Sequence, residues 1–182
     1  MSVRLNIIVA VCEGEGIGQG GQLPWRLREE MKYFTRMTKK TNAPEKQNVV
    51  VMGRKTWESI PKKFRPLPGR INVVLTSQAK SNLGHFDGST VCSSFEDALR
   101  EVHSLQAETV WAIGGFSVYK MALECEQLHR IYLTRILKDF ECDTFFPSFD
   151  SSKFRLVGDS EVPSEIQQEG DIRYKYEVLE KL

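Results

Sequence analysis

Gly16 to Phe34 reads GIGQGGQLPWRLREEMKYF: a glycine-rich loop, an apolar corner at Leu23-Pro24-Trp25, then a helix. It joins two β-branched apolar runs, Leu5 to Val11 and Gln47 to Met52. Strand, helix, strand is a crossover unit, and runs with so little alternation read as strands buried on both faces, as in parallel sheets. At about 100° per residue, Leu27, Met31, Phe34 and Met37 share one helix face, while Arg28, Glu29, Lys32, Thr35, Arg36 and Lys39 share the other. Glu30 points with the apolar group. A carboxylate there either reaches to solvent along the helix edge or sits in a pocket, with a raised pKa, facing a cationic or amidine-like ligand. The pattern alone leaves both readings open.

Farther out, Ile71 to Leu75 and Thr109 to Ile113 are further buried runs, and Val91 marks a brief strand after a loop from Ser77 to Ser89. Helices are expected at Leu27 to Lys39, Thr56 to Ser59 and Phe116 to Leu123. Ser94-Phe95-Glu96-Asp97 is a capping-box start for another, ending near His103. Arg130 to Leu137, Phe154 to Val157 and Ile172 to Leu179 follow as strands with no helix between them. An alternating β-α order that ends in consecutive strands predicts an α/β fold, a mostly parallel sheet with an antiparallel C-terminal edge.

At 182 residues the chain has room for one domain, 1–182, with a real core. A net charge of +1 makes no electrostatic case for nucleic acid or an anionic membrane. The apolar run Ile7 to Val11 is too short for a signal-peptide core, and nothing approaches a membrane span, so the expected location is the cytoplasm. Cys12, Cys92, Cys125 and Cys142 lack C-x-x-C spacing, and His85, His103 and His129 are scattered. No metal site is expected, and the cysteines read as reduced and structural.

Gly16-x-Gly18-x-x-Gly21 matches the dinucleotide fingerprint, but in that motif the helix begins at the glycines so that pyrophosphate meets its N-terminus. Here Leu23-Pro24-Trp25 intervenes, and the next strand ends in Gly53-Arg54 with no acidic residue. These glycines read instead as a flexible lid. Gly114-Gly115 is the stronger phosphate site, lying between a buried strand and a helix, with a tight turn as the plain alternative. Gly53-Arg54-Lys55-Thr56 repeats that arrangement. Its two cations oppose the helix dipole, which an anionic partner would explain; a solvated charge pair is the alternative. Ser117 lies in Gly-Phe-Ser-Val-Tyr, which lacks the second glycine of the G-x-S-x-G elbow, so serine hydrolase chemistry is set aside.

Five motifs stand in a familiar order between about Leu5 and Tyr176. GIGxxGxLPW before an acidic helix is the first. Val51-Met52-Gly53-Arg54-Lys55-Thr56-Trp57-Glu58-Ser59-Ile60-Pro61 and Arg65-Pro66-Leu67-Pro68-Gly69-Arg70 follow. Ile113-Gly114-Gly115-Phe116-Ser117-Val118-Tyr119 and Asp143-Thr144-Phe145-Phe146-Pro147 complete the set. Together they resemble the dihydrofolate reductase family, most closely its animal type. The resemblance implies eight strands with helices on both faces, and a monomer that uses NADPH to reduce 7,8-dihydrofolate to tetrahydrofolate. Hydride goes to C6 and a proton to N5. Catalysis is implied for Glu30, Trp25 and Leu23, with Glu30 orienting and polarising the pterin and a water near Leu23 and Trp25 delivering the proton.

The resemblance also implies a substrate site of Ile8, Val9, Glu30, Met31, Phe34, Ser59, Ile60, Phe64, Leu67, Arg70, Ile113, Tyr119 and Thr134. Arg70 would grip the α-carboxylate of the glutamate tail, and Thr134 would bond Glu30 and the pterin edge. The implied cofactor site is Ala10, Ile17, Gly18, Gly21, Gly53, Arg54, Lys55, Thr56, Leu75, Thr76, Ser77, Gly114, Gly115, Phe116, Ser117 and Val118. Arg54 would meet the 2′-phosphate, Thr56 the pyrophosphate region, and a cis peptide would join Gly114 to Gly115. Departures from the family pattern occur at Gln22, Met31, Phe64, the shortened Trp25-Arg26-Leu27, and Thr76-Ser77, where a second arginine is frequent. Two alternatives are a same-fold reductase of another pyrimidine-like substrate and a folate-binding module without activity. Glu30 with Arg70 argues against the first, and the intact set Glu30, Trp25, Arg54, Gly114 and Gly115 against the second.

Overall fold

The apolar runs become strands, and the computed structural model describes residues 3–77 and 83–182. In chain order the elements are β1 (Arg4–Glu13), β2 (Gly16–Gly18), α1 (Arg28–Lys39), β3 (Gln47–Gly53), α2 (Arg54–Ser59), β4 (Ile71–Leu75) and β5 (Thr90–Cys92). There follow α3 (Phe95–Ser104), β6 (Ala107–Ala112), α4 (Phe116–Glu124), β7 (Leu128–Asp139), β8 (Thr144–Phe145), β9 (Phe154–Val157), β10 (Gln167–Glu169) and β11 (Ile172–Lys181). Ser94 caps α3 as expected, its hydroxyl accepting from the Asp97 amide at 3.0 Å.

The main sheet runs β10-β11-β7-β1-β6-β3-β4-β5, with β9 added against β11. The contiguous strands from β7 to β5 are parallel. β11 is antiparallel to β7, and β9 and β10 are antiparallel to β11. The eight-strand path matches the expectation, with β9 as a ninth strand. Alternate residues enter opposite layers. Ile7, Val9, Val11, Val49, Val51 and Val73 pack under α3 and α4 with Ala98, Val102, Val118 and Ala122. Ile8, Val50, Met52 and Val74 pack under α1 and α2 with Tyr33, Met37 and Trp57. Each fully buried aliphatic side chain contributes roughly 1.5–3 kcal/mol, so strands covered on both faces need no amphipathic pattern.

Three expectations are revised. α2 starts at Arg54, before Thr56. The loop expected over Ser77 to Ser89 contains a 3-10 turn, Leu83–Phe86, while positions 78–82 lie outside the described residues. The glycine lid is tied at its stem. β2 pairs with β8, the Asp143 amide donates to Gly18 O at 2.9 Å, and the Gly20 amide donates to Asp143 Oδ2 at 2.9 Å. Those bonds come from a segment more than 120 residues away, which local glycine content does not reveal.

Candidate active site

The parallel strands leave an opening at their carboxyl ends, the usual place for a ligand in such sheets. Pairing of β1 with β6 stops at Ile7 and Ala112, while β1 continues to Glu13. The Tyr119 hydroxyl donates to Ile8 O at 2.9 Å just beyond that point. Beside it, the Gly53 amide donates to Gly114 O at 2.9 Å. The ends of β1, β3 and β6 are thereby held around one crevice.

Glu30 stands at one side of this crevice, in the first turn of α1. Leu27 gives that helix no side-chain cap. The Glu169 carboxylate on β10 does so instead, accepting from the Arg28 amide at 2.7 Å and the Glu29 amide at 3.2 Å. Glu30 is 7% exposed, and the Thr134 hydroxyl on β7 donates to its Oε1 at 3.1 Å. Burial pushes its pKa up to about 7, with the Thr134 bond pulling the other way. The carboxyl group therefore changes protonation near neutral pH, which is the condition for proton-coupled chemistry there. A cleft of about 610 Å³ runs along α1 and the loop before it, lined by Leu23, Trp25, Glu30, Met31 and Thr35 together with Arg26, Arg28, Lys32 and Arg36. Among the described residues Trp25 Nε1 is buried without a hydrogen-bond acceptor, an unused donor beside that cleft.

Arg70 occupies the other end of α1. It is 8% exposed, donating from Nε to Pro68 O at 3.0 Å and from Nη1 to Thr38 Oγ1 at 3.0 Å. Thr38 is fully buried and donates in turn to Phe34 O at 2.8 Å. Among the described residues Arg70 has only neutral partners. Its guanidinium is pulled below its ordinary pKa by burial, yet arginine keeps its charge. A buried cation without a counter-ion is costly, and an incoming carboxylate relieves that cost. Thr38 lies eight residues beyond Glu30, about 12 Å along the helix.

At the third corner, Gly114 has φ +126° and is joined to Gly115 by a cis peptide. A Cβ at Gly114 would meet Thr56 Oγ1 at 3.4 Å and the Tyr119 hydroxyl at 3.5 Å. The bare backbone leaves space for close approach of a ligand. Arg54, at the start of α2, pairs through Nη1 with Glu58 Oε1 at 2.5 Å, and His85 Nε2 lies 3.2 Å from Glu58 Oε2.

Comparison with known proteins gives this arrangement its context. A family model described as dihydrofolate reductase matches residues 4–181. The chain belongs to the dihydrofolate reductase family. It is 45% identical to the dihydrofolate reductase of Heliothis virescens, covering 99% of this chain and 98% of that protein. It is 48% identical to that of Sus scrofa, with 97% of each covered. The solved Schistosoma mansoni dihydrofolate reductase superposes with a TM-score of 0.87 at 37% identity, covering all of both chains.

The site residues that dihydrofolate reductase motifs suggested fall into groups. Ile8 is buried and Phe34, Ile60, Leu67 and Ile113 are partly buried on the α1–α2 side, with Ser59 nearby. Ser59 donates to Thr56 O at 2.6 Å. Leu23, Met31 and Phe64 are exposed, forming rims rather than buried walls. For Met31 this revises the expected apolar face of Leu27, Met31, Phe34 and Met37, since Met31 sits at its edge while Tyr33 and Thr38 are buried. The side chains of Val9 and Val118 lie in the α3–α4 layer, Val118 also lying against Gly53. Tyr119 donates to Ile8 O with its hydroxyl beside Gly114.

Of the residues expected for a cofactor, Gly53 and Thr56 adjoin Gly114, Arg54 follows Gly53, and Lys55, Phe116 and Ser117 are exposed. Leu75 ends β4, Thr76 follows with its amide donating to Cys92 O at 3.0 Å, and Ser77 after it is exposed. Ala10 and Ile17 are partly buried, with Gly18 and Gly21 along the tied loop. Sequence reading missed Thr38, Glu58, His85 and Glu169. The only local signal was a threonine on the apolar side of α1.

Proposed function

We propose that this protein reduces 7,8-dihydrofolate to 5,6,7,8-tetrahydrofolate with NADPH, acting as a monomer in the cytoplasm. Among the described residues no helix is long and apolar enough to cross a membrane. The observation that carries the reading is the pairing of a buried, protonatable carboxyl, Glu30, with a buried arginine lacking a counter-ion, Arg70. These match the two ends of a pterin joined to a glutamate tail.

Glu30 accepts from Thr134 and turns its other oxygen to the amino-pyrimidine edge of the pterin, orienting and polarising the ring. Arg70, held by Thr38 and Pro68 O, takes the α-carboxylate. Phe34, Ile60 and Leu67 enclose the apolar middle, and Met31 and Phe64 cover its rim. The proton for N5 enters from solvent on the Leu23–Trp25 side, while Glu30 changes protonation near neutral pH. Bound NADPH supplies the hydride for C6. Gly53, Thr56 and the bare Gly114-Gly115 backbone would hold its pyrophosphate region. Arg54, with Thr76 and Ser77, would take the 2′-phosphate, and Ala10 and Ile17 would flank the nicotinamide. Oxidation of NADPH dependent on added dihydrofolate tests the whole reading. NADPH consumption with another pyrimidine-like substrate alone, or folate binding without turnover, would replace it.

A further inference from the structure

Cys12, near the end of β1, and Cys142, two residues before β8, are 130 positions apart, yet their Sγ atoms lie 3.7 Å from each other. Cys12 is buried with Trp25, Leu27, Ile136 and Tyr174, and partly buried Cys142 packs against the same group. Gly16 lies directly against both. A Cβ there would stand 2.3 Å from Cys142 Sγ and 3.0 Å from Cys12 Sγ, so the facing thiols fit only because residue 16 has no side chain. Neither thiol has a part in the reduction proposed above.

We propose that Cys12 and Cys142 form a dithiol–disulfide modification site that reacts with low-molecular-weight disulfides of the oxidised glutathione class. Cys142 is the entry point, because it is the more exposed of the two. Its thiolate attacks one sulfur of the reagent, forming a mixed disulfide and expelling one thiolate. The Cys12 thiolate then attacks Cys142 Sγ, forming the internal bond and expelling the second. Both cysteine protons pass to the two departing thiolates, so one reagent disulfide is reduced to two thiols while the protein pair is oxidised. For the bond to form, the sulfurs must close from 3.7 Å to about 2.05 Å. Burial pushes the Cys142 thiol up to about 11, so the reaction is slow at neutral pH and registers sustained oxidation. The new bond ties the end of β1 to the segment whose Asp143 holds Gly20, restraining the loop that leads to Leu23 and Trp25.

The test is to incubate the reduced full chain with excess oxidised glutathione, then alkylate it with N-ethylmaleimide under denaturing conditions for intact-mass and peptide mapping. Two alkylatable thiols should be lost with no glutathione retained at this pair, and a Cys12–Cys142 linked peptide should revert with dithiothreitol. Cys12→Ser should trap glutathione on Cys142. Cys142→Ser should leave Cys12 free, so either variant carries the test if the other does not fold. Glutathione retained on wild-type Cys142, or both thiols remaining alkylatable, overturns the site. Hydrogen exchange at the Gly20 amide should slow several-fold in the oxidised form; an unchanged rate overturns the restraint.

Discussion

Thr134 reaches from the middle of β7 to donate to Glu30 Oε1 at 3.1 Å, fixing the carboxyl of a helix against the centre of the sheet. The bond favours the ionised carboxylate, while burial favours the neutral acid more strongly. Glu30→Gln keeps the shape and loses the titration. Turnover with dihydrofolate should fall by roughly a hundredfold or more, the effect of removing one preorganised electrostatic contact. Steady-state kinetics at neutral pH, with near-normal turnover as the outcome that rejects the role, decides this.

The same balance predicts a pH profile. With Glu30 titrating at about 7, kcat/KM for dihydrofolate should decline above that pH, because this parameter reports groups in the free enzyme. Thr134→Val removes the one bond that stabilises the ionised form, so the break should move to higher pH. A break that stays in place would assign it to another group.

Stability should run the opposite way from activity in the glutamine variant. Folding raises the pKa of Glu30 from 4.5 to about 7, so the folded chain binds the proton more tightly than the unfolded one. Its stabilising contribution is complete below about pH 4.5 and is lost as pH rises through about 7, at most about 3 kcal/mol. Glu30→Gln should therefore raise the Tm relative to wild type at pH 8, with a smaller difference at pH 5. Thermal unfolding at both pH values reads this directly.

Arg70→Lys should weaken binding of dihydrofolate far more than that of a pteridine lacking the glutamate tail. Lysine keeps the charge but not the planar fork that can hold Thr38, Pro68 O and a carboxylate together. Equal weakening of both ligands would make Arg70 purely structural.

Arg54 should confer the preference for NADPH over NADH, and its pairing with Glu58 modifies that prediction. The pair runs against the helix dipole, with the cation at the N-terminal end, and contributes little as an ion pair about one-third exposed. A 2′-phosphate must compete with Glu58 for the guanidinium. Arg54→Ala should bring the specificity constants for the two cofactors close together. Glu58→Gln should tighten NADP⁺ binding several-fold without changing NAD⁺ binding, and both effects should shrink at high salt. If Arg54→Ala leaves the NADPH preference intact, Lys55 is the next cation to test.

The chain's local patterns marked the strands as buried on both faces and put Glu30 on the apolar side of α1, leaving open whether it reached solvent or a pocket. Periodicity reports which way a side chain points relative to its own backbone, and β1, β3 and β4 alternate between two apolar layers as their uninterrupted runs require. Even there, Met31 lay at the rim while Tyr33 and Thr38 went inside, because the edge of a helix face is decided by what packs against it. Partners were a matter for tertiary structure. Thr38 beneath Arg70, Glu169 at the start of α1, Glu58 and His85 around Arg54, and Cys142 against Cys12 each depend on strand order and register. Those place distant segments side by side, and desolvation then acts on the groups they enclose. The sequence marks Glu30 as an acid on an apolar face, but only the fold buries it deeply enough to titrate near neutral pH.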